Sequence, residues 1–189
     1  MNETERQHWV EGLKEFDWQN ELIALGIVCA FTKPKSWLDL GCGTGAMVKV
    51  AYRNGIQSFG VDQIAEEDEF TAKYFKQYDL TQPLDLGRQF ALVTTIEFVE
   101  HLPEEYEGVI CDTITRHVAP GGRLVFTAAV PGQGGYNHFN CQPPKYWTDR
   151  LESRGMIYSA NETRRLAAIW KNTFTALNHL SENVQVFIR

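Results

Sequence analysis

Residues 37–45 read Trp-Leu-Asp-Leu-Gly-Cys-Gly-Thr-Gly, and no other segment restricts the fold as strongly. A short apolar run enters a turn with glycine at alternate positions, and Ala46–Arg53 follows as a helix that Asn54-Gly55 would stop. Glycine lets the backbone turn tightly and lets a ligand approach where a Cβ would clash. Strand, glycine turn and helix in that order are the opening of a nucleotide-type site on an open α/β sheet.

The rest of the chain keeps the alternation. Strands are expected at Ser36–Leu40, Gln57–Val61, Tyr74–Leu80, Phe90–Ile96, Arg123–Val130 and Val184–Ile188. Helices are expected at Ala46–Arg53, Tyr106–Val118, Pro143–Arg154 and Asn161–Leu177. Before them, Trp9, Leu13, Phe16, Leu22 and Leu25 recur at helical spacing, giving one or two amphipathic helices that end at Lys33-Pro34-Lys35. The expected fold class is α/β: a single doubly wound, mostly parallel Rossmann-like sheet with N-terminal helices. One domain is expected over residues 1–189, divided into a helical segment at 1–35 and an α/β core at 36–189. Ligands on such sheets bind at the carboxyl ends of the strands, so function is sought just after each one.

Composition sets outer limits. The net charge is −6 and no Lys/Arg-rich run occurs, which argues against nucleic acid as a partner. The acidic run Glu66–Glu69 reads as a solvated surface. Cys29, Cys42, Cys111 and Cys141 are far apart and form no Cys-x-x-Cys pair, as expected of reduced thiols. The first residues lack the form of a signal peptide, and the longest apolar stretch, Leu22 to Phe31, is too short to span a bilayer. The expectation is a soluble cytoplasmic protein with a small-molecule partner and no membrane association; the oligomeric state is not legible.

Two cofactors compete for the glycine turn. Gly41-x-Gly43-x-x-Ala46, with Asp62 about twenty residues on, also satisfies the dinucleotide fingerprint, so a nicotinamide oxidoreductase is a genuine alternative. Asp39 separates them. A carboxylate two residues before the first glycine repels a pyrophosphate but favours the sulfonium and ammonium of S-adenosylmethionine. Asp62, closing the second strand, is placed to accept both ribose hydroxyls or to cap the next helix. Asp79, with the Leu80 N–H beside it, either meets the adenine edge or is an ordinary turn acid. Gly41, Cys42, Gly43, Gly45, Gln63 and Glu97 complete the expected cofactor-binding set.

Together these residues resemble the class I S-adenosylmethionine-dependent methyltransferases. The resemblance runs from Ser36 to Gly155 and rests on Asp39–Gly45, Asp62, Ala91–Glu97 and Val118–Leu124. It implies a seven-stranded sheet with the last strand antiparallel, and methyl transfer from the sulfonium to a nucleophile. Residues 138–147 resemble a subgroup of small methyltransferases linked with sugar or other small-molecule modification.

Acceptor chemistry is sought after the fourth strand, where Glu97-Phe98-Val99-Glu100-His101 puts three ionisable groups in five positions. With His138 from the loop after the fifth strand, Glu97, Glu100 and His101 form a candidate site for Mg²⁺ or Mn²⁺. The pattern resembles the metal-binding segment of the small-RNA 2′-O-methyltransferases and the ubiquinone-pathway O-methyltransferases. Without a metal, His101 or His138 is the candidate general base; in a third reading these residues serve neither role. Residues 131–138, rich in glycine, read as a mobile lid. Trp9, Trp18, Tyr146 and Trp147 read mainly as packing residues. The chain lacks the Asn/Asp-Pro-Pro-Tyr segment of amino-directed nucleic-acid methyltransferases, so an oxygen acceptor is expected. A non-catalytic subunit that binds the same cofactor is the remaining alternative.

Overall fold

The computed structural model describes residues 3–64, 69–173 and 178–189. Seven strands form one sheet: β1 (Ser36–Leu40), β2 (Gln57–Asp62), β3 (Phe75–Gln77), β4 (Phe90–Thr95), β5 (Val118–Phe126), β6 (Ile157–Tyr158) and β7 (Gln185–Ile188). Their order is β3-β2-β1-β4-β5-β7-β6. The first five run parallel, and β7 is antiparallel to both β5 and β6. Strand order therefore reverses between β1 and β4, and the crevice for a ligand opens at their carboxyl ends.

Period-two alternation assigns the side chains to two faces. Leu38, Leu40, Val93, Leu124 and Phe187 meet α5 (Glu107–His117) and α6 (Pro144–Glu152) through Ile110, Ile114, Trp147 and Leu151. Trp37, Leu92, Val125 and Val186 lie in the other core. That face is covered by α2 (Asp17–Ala30), α3 (Ala46–Arg53), α7 (Ala160–Thr173) and α8 (Asn178–Asn183). The remaining helices are α1 (Glu3–Lys14) and α4 (Glu69–Tyr74). Strands buried on both faces read as continuous apolar runs, which is why β1, β4 and the second half of β5 were legible.

Several expectations need correction. The third strand is three residues long, so Asp79 lies beyond it in a turn rather than at its end. The fifth strand begins at Val118, with a register irregularity opposite Phe90–Leu92 that accommodates Pro120-Gly121-Gly122. A two-residue strand, β6, was not foreseen, nor was α4. The single helix expected at Asn161–Leu177 ends at Thr173, and α8 is a separate element; residues 174–177 lie outside the described residues. Residues 66–68 of the acidic run also lie outside them, and Glu69 begins α4. Trp9 lies in α1, its side chain outside the described residues, whereas Trp18 is half exposed and is not a core residue. Trp147 is buried against Phe126, as a packing residue should be. The four cysteines are all free.

Candidate active site

The glycine turn is left-handed at Gly41, Gly43 and Gly45, with φ of 77°, 52° and 81°. Close packing adds a second constraint. A Cβ on Gly41 would lie 2.2 Å from the Phe98 ring, and one on Gly45 would lie 1.8 Å from the Phe75 ring. The turn is thus clamped between an aromatic residue after β4 and another in β3.

Hydrogen bonding decides what this turn can bind. Gly41 and Cys42 donate their N–H groups to the Val61 carbonyl, Gly45 donates to the Cys42 carbonyl, and Gly43 donates to Asp62 Oδ2 at 2.9 Å. A pyrophosphate cradle needs such N–H groups directed at the ligand. Here the N–H groups of Gly41, Cys42, Gly43 and Gly45 are already bonded within the protein. Cys42 turns its thiol down toward Gly60, leaving only its backbone at the turn.

Asp39 is buried beneath the turn. Its Oδ1 accepts from the Thr94 hydroxyl at 2.6 Å, and Thr94 Oγ1 in turn accepts from Trp37 Nε1 at 2.8 Å. Burial, opposed by the Thr94 bond and reinforced by Asp62, pushes its carboxyl up to about 7. Asp62 is raised as well, chiefly by burial, against the lowering effect of the N–H groups of Gly43 and Ile64 on its two oxygens. A cleft of about 210 Å³ brings Asp62, Gln63, Asp79 and Leu80 together with Phe98 and His101. Asp79 there accepts from the Thr81 backbone and hydroxyl through one oxygen, Oδ1.

After β4, a 3₁₀ turn at Val99–His101 draws the next groups inward. Glu100 is fully buried; its Oε1 accepts from the Ala129 N–H at 3.2 Å. Burial and the neighbouring Glu97 push its carboxyl up to about 8. The His101 ring meets the Asn137 carbonyl through Nδ1 at 3.1 Å, and burial lowers its pKa, with His138 adding to the effect. His138 stands edge-on to His101, with ring centroids 4.9 Å apart, and is held against Gly135. One ligand atom each from Glu100, His101 and His138 lie within 4.8 Å of one another. Glu97 does not join this group, contrary to the four-ligand expectation. It sits at a left-handed φ of 47°, and its carboxylate meets Gln133 instead.

Buried polar atoms are normally paired, so those that are not mark a site. Among the described residues, seven buried side-chain atoms lack a hydrogen-bond partner: Asp39 Oδ2, Thr95 Oγ1, Glu97 Oε1, Glu100 Oε2, His138 Nδ1, Asn140 Nδ2 and Trp147 Nε1. The four titratable residues among them, Asp39, Glu97, Glu100 and His138, are those singled out from the sequence as site candidates.

The segment read as a lid, residues 131–138, is anchored at Gln133 and by the two residues just past its end. Phe139 and Asn140 donate N–H groups to the Glu100 carbonyl, at 2.8 and 3.0 Å. Gln133 bonds to Asn183 of α8 at 2.8 Å. Sequence reasoning missed Thr94, Phe98, Gln133 and Asn183. Each acts through partners far along the chain, which local pattern does not reveal. The Thr44 hydroxyl also bonds to Asp17 Oδ1, which joins the start of α2 to the glycine turn.

A strand order of 3-2-1-4-5-7-6 with one antiparallel strand and a glycine turn after β1 is the Rossmann-like architecture of class I S-adenosylmethionine-dependent methyltransferases. The methyltransferase domain family matches residues 17–168, and the chain belongs to that family. It is 34% identical over 123 residues to norajmaline N-methyltransferase of Rauvolfia serpentina, covering 59% of this chain and 39% of that protein. It is 23% identical over 182 residues to the mitochondrial ubiquinone biosynthesis O-methyltransferase of Homo sapiens, covering 79% and 47%. The chain thus spans less than half the length of either relative.

Among solved structures, the plantazolicin methyltransferase bound to S-adenosylhomocysteine superposes with a TM-score of 0.65 at 14% identity, covering 98% of this chain and 89% of that one. A sugar N-methyltransferase from a Streptoalloteichus species gives 0.63 at 15% identity, covering 90% and 86%. At these identities the likeness is one of fold. Family membership decides between the two cofactor readings of the glycine turn and sets the oxidoreductase alternative aside. Among the described residues, no helix is long and apolar enough to cross a membrane.

Proposed function

We propose that this chain transfers the methyl group of S-adenosylmethionine to a hydroxyl of a small-molecule or sugar-type acceptor, with a divalent cation held by Glu100, His101 and His138. The cofactor supplies the electrophilic methyl carbon; that carbon's bond to sulfur breaks as its bond to the acceptor oxygen forms. The chain's part is to align the two partners and exclude water. Gly41, Gly43 and Gly45 form the floor under the cofactor, with Asp39 below it as the buried counter-charge. Asp62 accepts from the ribose hydroxyls through lone pairs its N–H donors leave, and Asp79 with Leu80 frames adenine in the 210 Å³ cleft. The cation would be Mg²⁺ or Mn²⁺, and when bound it supplies a lowered pKa to an acceptor hydroxyl.

One observation carries the cation: Glu100 Oε2 and His138 Nδ1 are buried and unpartnered in a group of three ligating side chains. An anionic oxygen and imidazole lone pairs converging in this way suit a hard or borderline divalent ion. The oxygen acceptor is supported by the O-methyltransferase among the relatives; the N-methyltransferases named above keep nitrogen as the competing acceptor.

Calorimetric titration of Mn²⁺ into the metal-stripped protein tests the proposal. Binding at micromolar Kd that is lost in Glu100→Ala and in His138→Ala is the expected result. Absence of Mn²⁺ binding to the unaltered protein would overturn the metal and leave His138 as general base.

A further inference from the structure

Glu97 is an acidic group after β4 that stands outside the ligating cluster, and the fold holds it at several points. Its backbone adopts φ 47°, a region side chains other than glycine's rarely enter. The N–H of Glu97 donates to Thr127 Oγ1 at 2.9 Å, and Thr127, just past the end of β5, is itself fully buried. The strain therefore serves to aim a side chain.

The carboxylate is then gripped from α8, at second hand. Gln133 Oε1 accepts from Asn183 Nδ2 at 2.8 Å and from the Val130 N–H at 3.4 Å. Two donors on one side fix the amide with its oxygen toward them, so Nε2 must face the other way. There it donates to Glu97 Oε2 at 3.4 Å. Oε1 is left buried and without a partner. The Thr127 hydroxyl, His179 of α8, His138 and the Gln133 amide all favour the charged form, against the larger effect of burial. A buried, oriented carboxylate oxygen with no donor of its own is a receptor for a donor on a ligand.

We infer that Gln133 and Asn183 are positioning residues that hold Glu97 as the recognition carboxylate for a cationic, ammonium-bearing acceptor. The inference rests on the methyltransferase reading and deepens it, since it assigns a charge class to the acceptor. An ammonium group donates to Oε1 and neutralises the Glu97 carboxylate; an anionic acceptor would set a second negative charge against it.

The test uses the whole chain saturated with S-adenosylhomocysteine at about pH 8, where free imidazole is mostly neutral. Two probe pairs of similar shape, tyramine with 4-hydroxyphenylacetate and ethanolamine with glycolate, are titrated calorimetrically. At least one ammonium probe should bind about tenfold or more tighter than its carboxylate counterpart. Glu97→Gln, which keeps the shape, should reduce that ratio below about twofold. Gln133→Ala should lower the ratio several-fold, and adding Asn183→Ala should lower it no further, because both act through one amide. Affinity for S-adenosylhomocysteine should stay unchanged in every variant.

No preference in either pair, no binding of an ammonium probe, or a preference that survives Glu97→Gln would overturn the inference. So would variants that weaken S-adenosylhomocysteine instead of the probes, because Glu97 would then belong to the cofactor. Failure of the unaltered chain to bind S-adenosylhomocysteine would strike the methyltransferase reading, and the probe titration without it would still read the preference of Glu97.

Discussion

Asp39 carries the conflict on which the site is built. A carboxylate locked under the glycine turn, with one oxygen on Thr94 and one unpartnered, holds its proton up to about pH 7 instead of near 3.8. Its pKa is thus raised on folding, so between about 4 and 7 the folded chain binds a proton that the unfolded chain has released. Stability from this group falls as pH rises across that window. Asp39→Asn is neutral throughout, so its melting temperature relative to the unaltered protein should climb by several degrees between about pH 5 and 8. Two parallel melting curves would contradict the assignment. At this scale the sequence was informative where chemistry is local: Asp39, Asp62, Glu100, His101 and His138 all lie where the strand-end rule put them. It was silent on Phe98 over Gly41 and on Gln133 against Asn183, because those partners are some fifty residues or more apart and neither belongs to a motif. Glu97 was legible as a site residue, but its bond to Gln133 was not.

Among the elements, α2 and α7 show how closely this fold is fitted. Trp170 is fully buried and lies against Gly26; a Cβ there would be 2.5 Å from the indole. The indole Nε1 also donates to the Ile23 carbonyl at 3.3 Å, so the ring cannot easily retreat. Gly26→Ala should therefore destabilise by about 1–3 kcal/mol, although alanine is the better helix former. Thermal melting would register this as a fall of several degrees, and a melting temperature at or above that of the unaltered protein would show that the two helices can move apart. Gly26 lies within the apolar stretch Leu22 to Phe31, and nothing local in the sequence marks its contact with a residue so far along the chain. The same limit explains β6. Ile157–Tyr158 is too short for any periodicity, and it is a strand only because β7 runs beside it. Long buried strands announce themselves, while strands made by their neighbours do not.

Over the whole molecule, the order of strands places every candidate group on one rim. Parallel β1, β2, β4 and β5 all end there, so the glycine turn, Asp62, the Glu100–His101 turn and the loop bearing His138 meet although they span about a hundred residues. The antiparallel β7 brings α8 to the same rim, and with it Asn183. Doubly wound topology followed from the alternation of segments, but the antiparallel ending came from family resemblance alone. The central claim is that the rim binds S-adenosylmethionine, and the internally bonded N–H groups of the glycine turn are its physical basis. Titration of the purified chain with S-adenosylhomocysteine and, separately, with NADH addresses it most directly. Micromolar binding of the first with none of the second is the predicted result; tight binding of NADH with silence for S-adenosylhomocysteine would contradict it.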